Sequence, residues 1–253
     1  MEDFTPEQLR SMFQKMLEIT ACAVCLETVS GPDVMLCVNE HMLCGSCRED
    51  LTNCPTCSQP FSAVKPQRLF AQVLETLPHC CRHENCPQQV IGDDDHETYC
   101  GWRPTQCKLC NTTVLGKDIY AHVSDKHPSR KIFTETLLPD RYMNFNSKMD
   151  LNSFSFFKVS GHTFWKKTAI HQCKGKPVLI HNYQYTPNGK PNCNIFIEIE
   201  FNSTETTFKS KIRFNTNPDT YDENVIIVPV FMLSDFMSDD RKALLYNTKV
   251  TFK

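Results

Sequence analysis

The sequence predicts a multidomain protein in which small metal-stabilised modules of irregular α+β structure precede an all-β antiparallel sandwich. Three observations predict this fold class. Of the 15 cysteines, 13 lie between Cys22 and Cys110, and histidines interleave with them at short spacings. Residues 20–60 contain too few apolar side chains to fold around a hydrophobic core, so this segment needs bound metal. From residue 130 onward, aromatic and β-branched runs alternate with turn residues, as in antiparallel sandwiches.

The composition of the 253 residues excludes several classes of protein. No run of about 18 apolar residues is present, so we expect no transmembrane helix and no membrane partner. The acidic N-terminus lacks the basic and apolar stretches of a secretory signal. We therefore expect the protein in the cytoplasm, with the nucleus as a second location, where dense cysteine binds metal rather than forming disulfides.

Charge is distributed unevenly along the chain. Residues 1–129 contain 10 Lys and Arg against 17 Asp and Glu, whereas residues 130–253 contain 17 against 12. Neither part carries the dense basic stripe of a nucleic-acid-binding protein. Nucleic acid is therefore not expected as a partner.

Two amphipathic helices are predicted outside the cysteine clusters. Over residues 5–19, Thr5, Pro6 and Gln8 form a capping-box pattern, and we expect this helix to pack on its own domain or on a second copy. Pro66 opens a second helical stretch, interpreted as a connector. The apolar positions at helical spacing are Leu9, Met12, Phe13, Met16 and Leu17 in the first helix and Leu69, Phe70, Val73, Leu74 and Leu77 in the second.

Seven short strands are predicted in the last 120 residues from their aromatic and β-branched composition. From Ile195 to Phe201, apolar and polar side chains alternate, as in a half-buried strand. The dipeptide Asn188-Gly189 lies between two of the strands and predicts a tight hairpin. The predicted strands span residues 154–159, 162–170, 177–185, 194–201, 206–214, 225–233 and 248–252.

Four lysines in this β region, Lys166, Lys167, Lys174 and Lys176, would form a basic face that suits an acidic partner. A solvated sheet face is the simpler interpretation of the same four residues. Both interpretations expect these side chains to be exposed.

The first cysteine cluster has the ligand number and spacing of two zinc sites. Two residues between a pair of cysteines let both sulfurs reach one tetrahedral zinc ion at about 2.3 Å. Eight ligands fill two closed sites, which are structural rather than catalytic, and spacing alone leaves the pairing of ligand pairs open. The eight ligands are Cys22, Cys25, Cys37, His41, Cys44, Cys47, Cys54 and Cys57.

The second cluster supplies eight more candidate ligands in two groups of four, so four zinc ions are expected in all. In the first group, Cys81 is favoured over its neighbour Cys80, and His83 is a further alternative. The two groups are Cys81, Cys86, His96 and Cys100, and Cys107, Cys110, His122 and His127.

The last of these groups also has the ligand order of a DNA-reading zinc finger. Such fingers present basic and polar side chains on the helix before their histidines. The segment between Cys110 and His122 contains only one lysine and one aspartate. This composition argues against a nucleic-acid-binding function.

The order of three cysteines, one histidine and four cysteines over residues 22–57 resembles the RING finger family. The stretch 95–100, DHETYC, with Arg103-Pro104 after it, resembles a motif of the seven in absentia (SINA/SIAH) family. The resemblance implies five parts along the chain. They are an N-terminal helix at 1–19, a RING finger at 20–60, a connector helix at 61–78, two SIAH-type zinc fingers at 79–128 and an all-β, TRAF-like substrate-binding sandwich at 129–253.

The resemblance also implies a function, that of a RING-type E3 ubiquitin ligase. The RING would hold a ubiquitin-charged E2 enzyme and position its thioester for transfer to a substrate lysine, with no covalent intermediate and no catalytic residue on this chain. The implied E2 contacts are Val24, Leu51 and Pro55. The fingers and the sandwich would bind a protein substrate, and the chain would form a homodimer.

The resemblance implies an interleaved arrangement of the RING ligands, with the first and third pairs on one zinc and the second and fourth on the other. One departure concerns activity. Many active RING fingers carry Arg or Lys directly after the last cysteine, where this chain has Ser58, which cannot supply a charged hydrogen-bond donor. The alternative function is therefore a weakened RING that acts as an adaptor or inhibitor of a related ligase.

Overall fold

The computed structural model describes residues 4–29, 34–49, 51–92, 94–145, 151–220, 222–238 and 242–253. The chain divides into two compact units, Met1–Glu97 and Thr98–Lys253. The predicted fold class is confirmed, because Cys/His groups with short elements come first and antiparallel sheets follow. Within the described ranges, no helix combines the length and the apolar character needed to cross a membrane.

The first unit is built from short elements around a small core. Its buried core side chains are Cys22, Val29, Val34, Leu43, Leu74 and Leu77, too few to stabilise a domain without metal. The helices are α1 (Pro6–Ile19), α2 (Gly45–Arg48) and α3 (Arg68–Thr76), and α4 (His96–Tyr99) follows them. Strand β1 (Met35–Leu36) pairs with β2 (Met42–Leu43), and β3 (His79–Cys80) pairs with β4 (Gln89–Val90).

Helix α1 begins where the capping-box pattern predicts. The Gln8 N–H donates to Thr5 Oγ1 at 3.2 Å, and the Thr5 N–H donates to Gln8 Oε1 at 2.8 Å. Pro6 occupies the first helical position. Of the apolar residues predicted to pack on the helix's own domain, only Leu17 contacts the core, and no residue of α1 is buried.

The second unit combines a small finger with a sandwich of two sheets. The finger consists of β5 (Pro104–Gln106), β6 (Thr113–Leu115) and α5 (Ile119–Lys126). The sandwich strands are β7 (Ile132–Phe133), β8 (Leu137–Met143), β9 (Asn152–Val159), β10 (His162–Cys173), β11 (Lys176–Tyr185), β12 (Ile195–Asn202), β13 (Thr207–Phe214), β14 (Val225–Pro229) and β15 (Ala243–Phe252). Strand order is β14-β11-β10-β9-β7 in one sheet and β13-β12-β15-β8 in the other.

The sandwich core lies between the two sheets. On β12 the side chains of Ile195, Ile197, Ile199 and Phe201 are all buried, while the residues between them are partly exposed, as the alternation predicts. The two-residue strand β7 and the seven-residue strand β8 were not predicted. Strand β7 pairs with β9 in parallel, so the otherwise antiparallel pairing has one short exception.

The predicted strand over residues 225–233 is wrong in its second half. Strand β14 ends at Pro229, and residues Val230–Phe236 form a 3₁₀ helix. Val230, Leu233 and Phe236 are the buried residues of this helix. Burial at every third position matches the three residues per turn of a 3₁₀ helix and would not suit a strand.

The predicted hairpin at Asn188-Gly189 is also wrong. Strand β11 ends at Tyr185 and β12 begins at Ile195, and the two strands belong to different sheets. Gly189 has φ +90°, and its N–H donates to the carbonyl of Tyr99 at 2.7 Å. The glycine therefore allows a long loop to cross between the sheets, rather than a two-residue turn.

A close backbone approach fixes the finger to the sandwich. A Cβ atom on Gly116 would lie 1.8 Å from the carbonyl oxygen of Pro187, so only glycine fits there. Ile119 and Val123 of α5 share one buried cluster with Phe156 and Trp165 of the sandwich. The second Cys/His finger and the sandwich therefore form a single body.

Lys166 contradicts both interpretations of the basic face, because its side chain is fully buried. Its Nζ donates to Asp140 Oδ2 at 2.8 Å and to Tyr246 Oη at 2.9 Å, and Tyr246 Oη donates to the same carboxylate oxygen at 2.7 Å. Burial raises the pKa of Asp140, but the positive charge of Lys166 lowers it overall. Of the other three lysines, Lys174 and Lys176 are exposed and Lys167 is half-buried.

Both faces of β10 are covered, which explains why sequence alternation failed to predict this burial. Phe164 packs in the core between the sheets, and its neighbour Trp165 packs in the cluster that includes α5. Lys166 lies two residues after Phe164 and therefore on the same face of β10, between the sheets. Because side chains are buried on both faces of this strand, its sequence shows no apolar and polar alternation that would mark the burial of Lys166.

The variant Asp140→Ala is expected to destabilise the second unit by about 3–5 kcal/mol, because it leaves the charge of Lys166 buried without its partner carboxylate. Urea unfolding followed by tryptophan fluorescence measures this, since Trp102 and Trp165 both lie in that unit. The control, Asp125→Ala, removes an exposed carboxylate from α5 and should change stability by about 0.5 kcal/mol or less. Equal stabilities for Asp140→Ala and the control would contradict the role of the buried pair.

Candidate metal centres

The structure brings the candidate zinc ligands together in four groups of four. Within each group, the ligand atoms lie within 4.8 Å of one another. The two RING groups are interleaved along the chain, in the arrangement that the resemblance implied. The groups are Cys22, Cys25, Cys44 and Cys47; Cys37, His41, Cys54 and Cys57; Cys81, Cys86, His96 and Cys100; and Cys107, Cys110, His122 and His127.

Distances between ligand atoms fit tetrahedral zinc. With Zn–S bonds of about 2.3 Å, two sulfurs on one tetrahedral ion lie about 3.8 Å apart. The Sγ atoms of Cys25 and Cys44 are 3.9 Å apart, and those of Cys37 and Cys57 are 3.7 Å apart. Because each group supplies four protein ligands, a bound zinc would have no open position for substrate, as in structural sites.

The charge of a zinc ion is what would let four cysteines ionise together. Burial raises the pKa of Cys22, but backbone N–H donors from Cys25, Cys44 and Val24 lower it overall to about 7. Burial and the neighbouring charges of Cys22 and Cys25 raise the pKa of Cys44. Without a cation, the charge of one thiolate therefore disfavours ionisation of the next cysteine. A thiolate bound to a metal, by contrast, stays deprotonated.

Three Cys-x2-Cys pairs share one backbone turn. The residue after each pair, Leu26, Ser58 or Asn111, has a φ of 63°, 59° or 59° in the left-handed region. Its N–H donates to the carbonyl of the first cysteine of the pair, at 3.0, 2.7 and 2.8 Å respectively. This tight turn brings the two sulfurs of each pair to one point, where a single ion can bind both.

In the third group, the structure selects Cys81 over Cys80 and His83. The exposed Cys80 thiol donates instead to Glu27 Oε2 at 3.3 Å, and burial together with the Glu27 carboxylate raises its pKa. His83 Nε2 lies 2.9 Å from the carbonyl oxygen of Glu97, in position to donate to it. Both alternatives therefore have partners outside the group.

Glu97 holds the loop that carries Cys81 in place. Its carboxylate accepts from the Arg82 N–H at 2.8 Å and forms an ion pair with the Arg82 guanidinium. Burial raises the pKa of Glu97, but the Arg82 hydrogen bonds and charge lower it overall. Since Glu97 directly follows His96, this ion pair links two ligand-bearing segments of the third group, much as second-shell contacts do at metal sites.

The fourth group lies on the finger of the second unit. His122 lies within α5 and His127 caps its C-terminus, while the two cysteines lie between β5 and β6. Ile119 and Val123 of this helix pack on the sandwich, and Lys158 Nζ lies 3.5 Å from the centroid of the Tyr120 ring. A helix covered in this way is poorly placed to enter a DNA groove, which supports the argument from its composition.

The three implied E2 contacts lie in different environments. Val24, in the first Cys-x2-Cys turn, is 46% exposed, and Pro55, in the last, is also exposed. Leu51 is half-buried and packs against the core, so its packing role is visible in the structure. Leu26, which follows this turn with φ 63°, is 77% exposed. E2 binding by these residues stays a prediction.

Two interleaved, closed Cys/His groups joined by short β strands and a helical turn define a RING finger. More specifically, residues 22–57 match the RING finger of the E3 ubiquitin-protein ligases sina and sinah. The RING finger of this chain is therefore similar to that of the sina and sinah ligases.

Similarity to whole proteins extends over less than half of the chain. The chain is 32% identical over 123 residues to the E3 ubiquitin-protein ligase siah-1 of Caenorhabditis briggsae, which covers 46% of this chain and 28% of the relative. It is 32% identical over 124 residues to SINA-like 9 of Arabidopsis thaliana, covering 46% and 44%. It is 29% identical over 100 residues to the ligase sina of Drosophila virilis, covering 38% and 31%. The matches thus span less than half the length of each relative.

Zinc content tests whether Cys81, rather than its neighbour Cys80, is the ligand in the third group. Native mass spectrometry of the purified chain is expected to show four zinc ions. Cys81→Ser should lower the count to three, because three remaining ligands bind the ion too weakly to retain it, whereas the matched variant Cys80→Ser should keep four. Loss of zinc from Cys80→Ser with retention in Cys81→Ser would contradict the geometry of this group.

Proposed function

We propose that this chain is a RING-type E3 ubiquitin ligase, in which the RING recruits a ubiquitin-charged E2 and the second unit recruits a protein substrate. The observation that carries the proposal is the sina/sinah-type RING over residues 22–57. Relatives that match this chain over 123 and 100 residues are named E3 ubiquitin-protein ligases. Closed metal groups support catalysis by positioning, since none of them offers a reactive metal position.

The E2 would bind on the exposed surface formed by the Cys-x2-Cys turns. Val24 and Pro55 present apolar side chains to solvent in these turns, which suits a shallow protein interface. No covalent step on this chain is needed, because the E2 thioester carries the ubiquitin and a substrate lysine attacks it. The RING acts by holding the thioester in a reactive geometry.

Substrate binding is proposed for the second unit. The finger and sandwich form one body there, through Gly116 and the cluster around Trp165. Strands β8, β13 and β14 lie at sheet edges within the described sheets. Such edges present unpaired backbone groups with which an extended substrate peptide could form strand hydrogen bonds.

A second candidate function, an adaptor or inhibitor with a weakened RING, is favoured by Ser58. This residue is exposed after the last RING cysteine, with φ 59°. Its short hydroxyl cannot provide the reach or charge of an arginine fork toward an E2 and ubiquitin together. Transfer activity distinguishes the two functions.

Self-ubiquitination with E1, a panel of E2 enzymes, ubiquitin and ATP tests the ligase function. Wild type is expected to form ubiquitin ladders, and Cys44→Ala should abolish them by removing a RING ligand. Ser58→Arg should raise the rate about tenfold, as a charge-assisted hydrogen bond contributes about 1.5–3 kcal/mol, whereas Ser58→Glu should not. If Ser58→Arg forms ladders and wild type does not, the adaptor function is favoured. If neither protein forms ladders while both bind four zinc ions, the ligase function is contradicted.

The E2 surface is tested by a charge introduced at Val24. Val24→Glu should lower the rate of ubiquitin discharge from the E2 at least tenfold, because it buries an unpaired carboxylate in an apolar contact. The matched control is Val38→Glu, a valine of the same unit that is 53% exposed and lies outside the predicted contacts. Both variants should keep four zinc ions, and equal rates for the two would contradict the proposed surface.

A further inference from the structure

Strand β13 is the sheet edge of the second unit that is best suited to pairing with another strand. It pairs with β12 on one side, and among the described residues no strand pairs with its other side. The edge strands β8 and β14 contain Pro139 and Pro229, which have no N–H to donate. All eight residues of β13 have one. This edge therefore offers an extended chain an unbroken series of backbone hydrogen-bonding groups.

A row of three basic side chains follows this edge. Lys209, Lys211 and Arg213 are exposed and alternate with half-buried residues of β13. Their partners on β12 are the residues whose side chains do not enter the core, so the row lies on the outer face of the sheet. Successive members are two residues apart, which is about 7 Å along a strand. Side chains on one face of any added strand recur at the same interval.

Acidic residues balance this basic row from the β12 side. Glu200 lies opposite Lys209 and forms an ion pair with it at 2.7 Å, and Glu198 lies opposite Lys211. Arg213 has an uncharged partner, since the β12 residue opposite it is Phe196. The two carboxylates thus lie on one side of the row, and the open edge of the sheet lies on the other.

A pocket of about 410 Å³ lies at the Arg213 end of the row. Its lining includes Asn194, Asn215 and Thr216 beside Arg213, and a carboxylate, Glu223, that accepts from Asn215 Nδ2 at 2.5 Å. Arg213 Nη2 donates to Asn194 Oδ1 at 2.6 Å, which orients the guanidinium at the pocket. That bond uses one of the five N–H donors of a guanidinium, so the same group can also bind a carboxylate of a ligand.

The charges on β13 argue against two other occupants of the edge. In antiparallel pairing with a second copy centred on Lys211, lysine would lie opposite lysine and Lys209 opposite Arg213, and like charges directly opposite each other destabilise a sheet. A nucleic acid lying across the outer face would meet the carboxylates of Glu198 and Glu200 as well as the row. A strand added in the plane of the sheet is separated from these carboxylates by β13 itself.

We propose that the β13 edge binds an extended peptide that carries Asp or Glu at every second position. The peptide would add one strand to the sheet, and its acidic side chains would lie beside Lys209, Lys211 and Arg213. Lysines on an edge deter pairing with neutral or basic strands, so the row would also select against other peptides. This inference rests on the proposed substrate binding by the second unit, and it names the substrate class as proteins with an acidic, alternating segment.

Fluorescence anisotropy with two labelled peptides of identical composition tests the inference on the full zinc-loaded chain. The alternating peptide is Thr-Glu-Thr-Glu-Thr-Glu-Thr, and the block peptide is Thr-Thr-Glu-Glu-Glu-Thr-Thr. The alternating peptide should bind at least about fivefold more tightly, because only its carboxylates all lie on one face of a strand. Its affinity should fall as salt is added. Equal affinities, or no binding of the alternating peptide, would overturn the inference.

Charge reversal on β13 tests the location of the site. Lys209→Glu/Lys211→Glu should weaken binding of the alternating peptide at least about tenfold, because two attractions become repulsions. The matched control Lys174→Glu/Lys176→Glu reverses two exposed lysines elsewhere in the same unit and should leave the affinity unchanged. The β13 variant should instead bind Thr-Lys-Thr-Lys-Thr-Lys-Thr, a gain that an unfolded protein would not show. Equal losses in both variants would overturn the inference.

Two further measurements separate this inference from its rivals and from the ligase function. Tighter binding of a polyuridine strand than of the alternating peptide would overturn it in favour of a nucleic acid. Self-ubiquitination by the same preparation depends on the RING and needs no peptide. Ladders without peptide binding would overturn this inference alone, whereas binding of the alternating peptide without ladders would support it and contradict the ligase function.

Discussion

The first unit depends on one electrostatic constraint, the gathering of thiolates and imidazoles around points where only a cation can offset their mutual repulsion. Burial and the neighbouring charges of Cys22 and Cys25 raise the pKa of Cys44, so these thiols resist ionising together without a cation. Zinc reverses this cost and replaces the hydrophobic core that six buried side chains cannot provide. The fold of the RING and its proposed function therefore rest on the same bonds.

These bonds also determine which side chains reach the surface. Each Cys-x2-Cys turn directs its two sulfurs toward one metal group, and residues between and after the cysteines, such as Val24, Leu26 and Pro55, are exposed. A surface built in this way needs no packed layer beneath it, because the metal fixes the backbone. This explains how a segment so poor in apolar residues can hold apolar side chains on its surface.

Local chemistry was predictable from the sequence, and contacts between distant segments were not. Ligand spacing predicted the two groups of the second cluster and the eight RING ligands, and the family resemblance implied the interleaved RING pairing that the structure assembles. Thr5, Pro6 and Gln8 predicted the start of α1. The predictions of a hairpin at Asn188-Gly189 and of an exposed Lys166 were wrong, because each depends on contacts with distant parts of the sandwich. A loop that crosses between two sheets leaves no pattern in the local sequence, and neither does a strand that is covered on both faces.

The two units are stabilised by different forces, and this difference bears on how the proposed ligase would respond to loss of zinc. The sandwich has a large apolar core around Phe157, Phe164 and Ile197, closed by the buried pair of Lys166 and Asp140. The described core of the sandwich contains none of the candidate metal ligands, whereas the first unit has no comparable core. Under the proposed function, zinc removal would abolish E2 recruitment, whereas a sandwich that kept its fold would still offer the proposed substrate-binding edges. A chain in that state would occupy substrate without modifying it, so partial metal loss would produce an inhibitor rather than only an inactive protein.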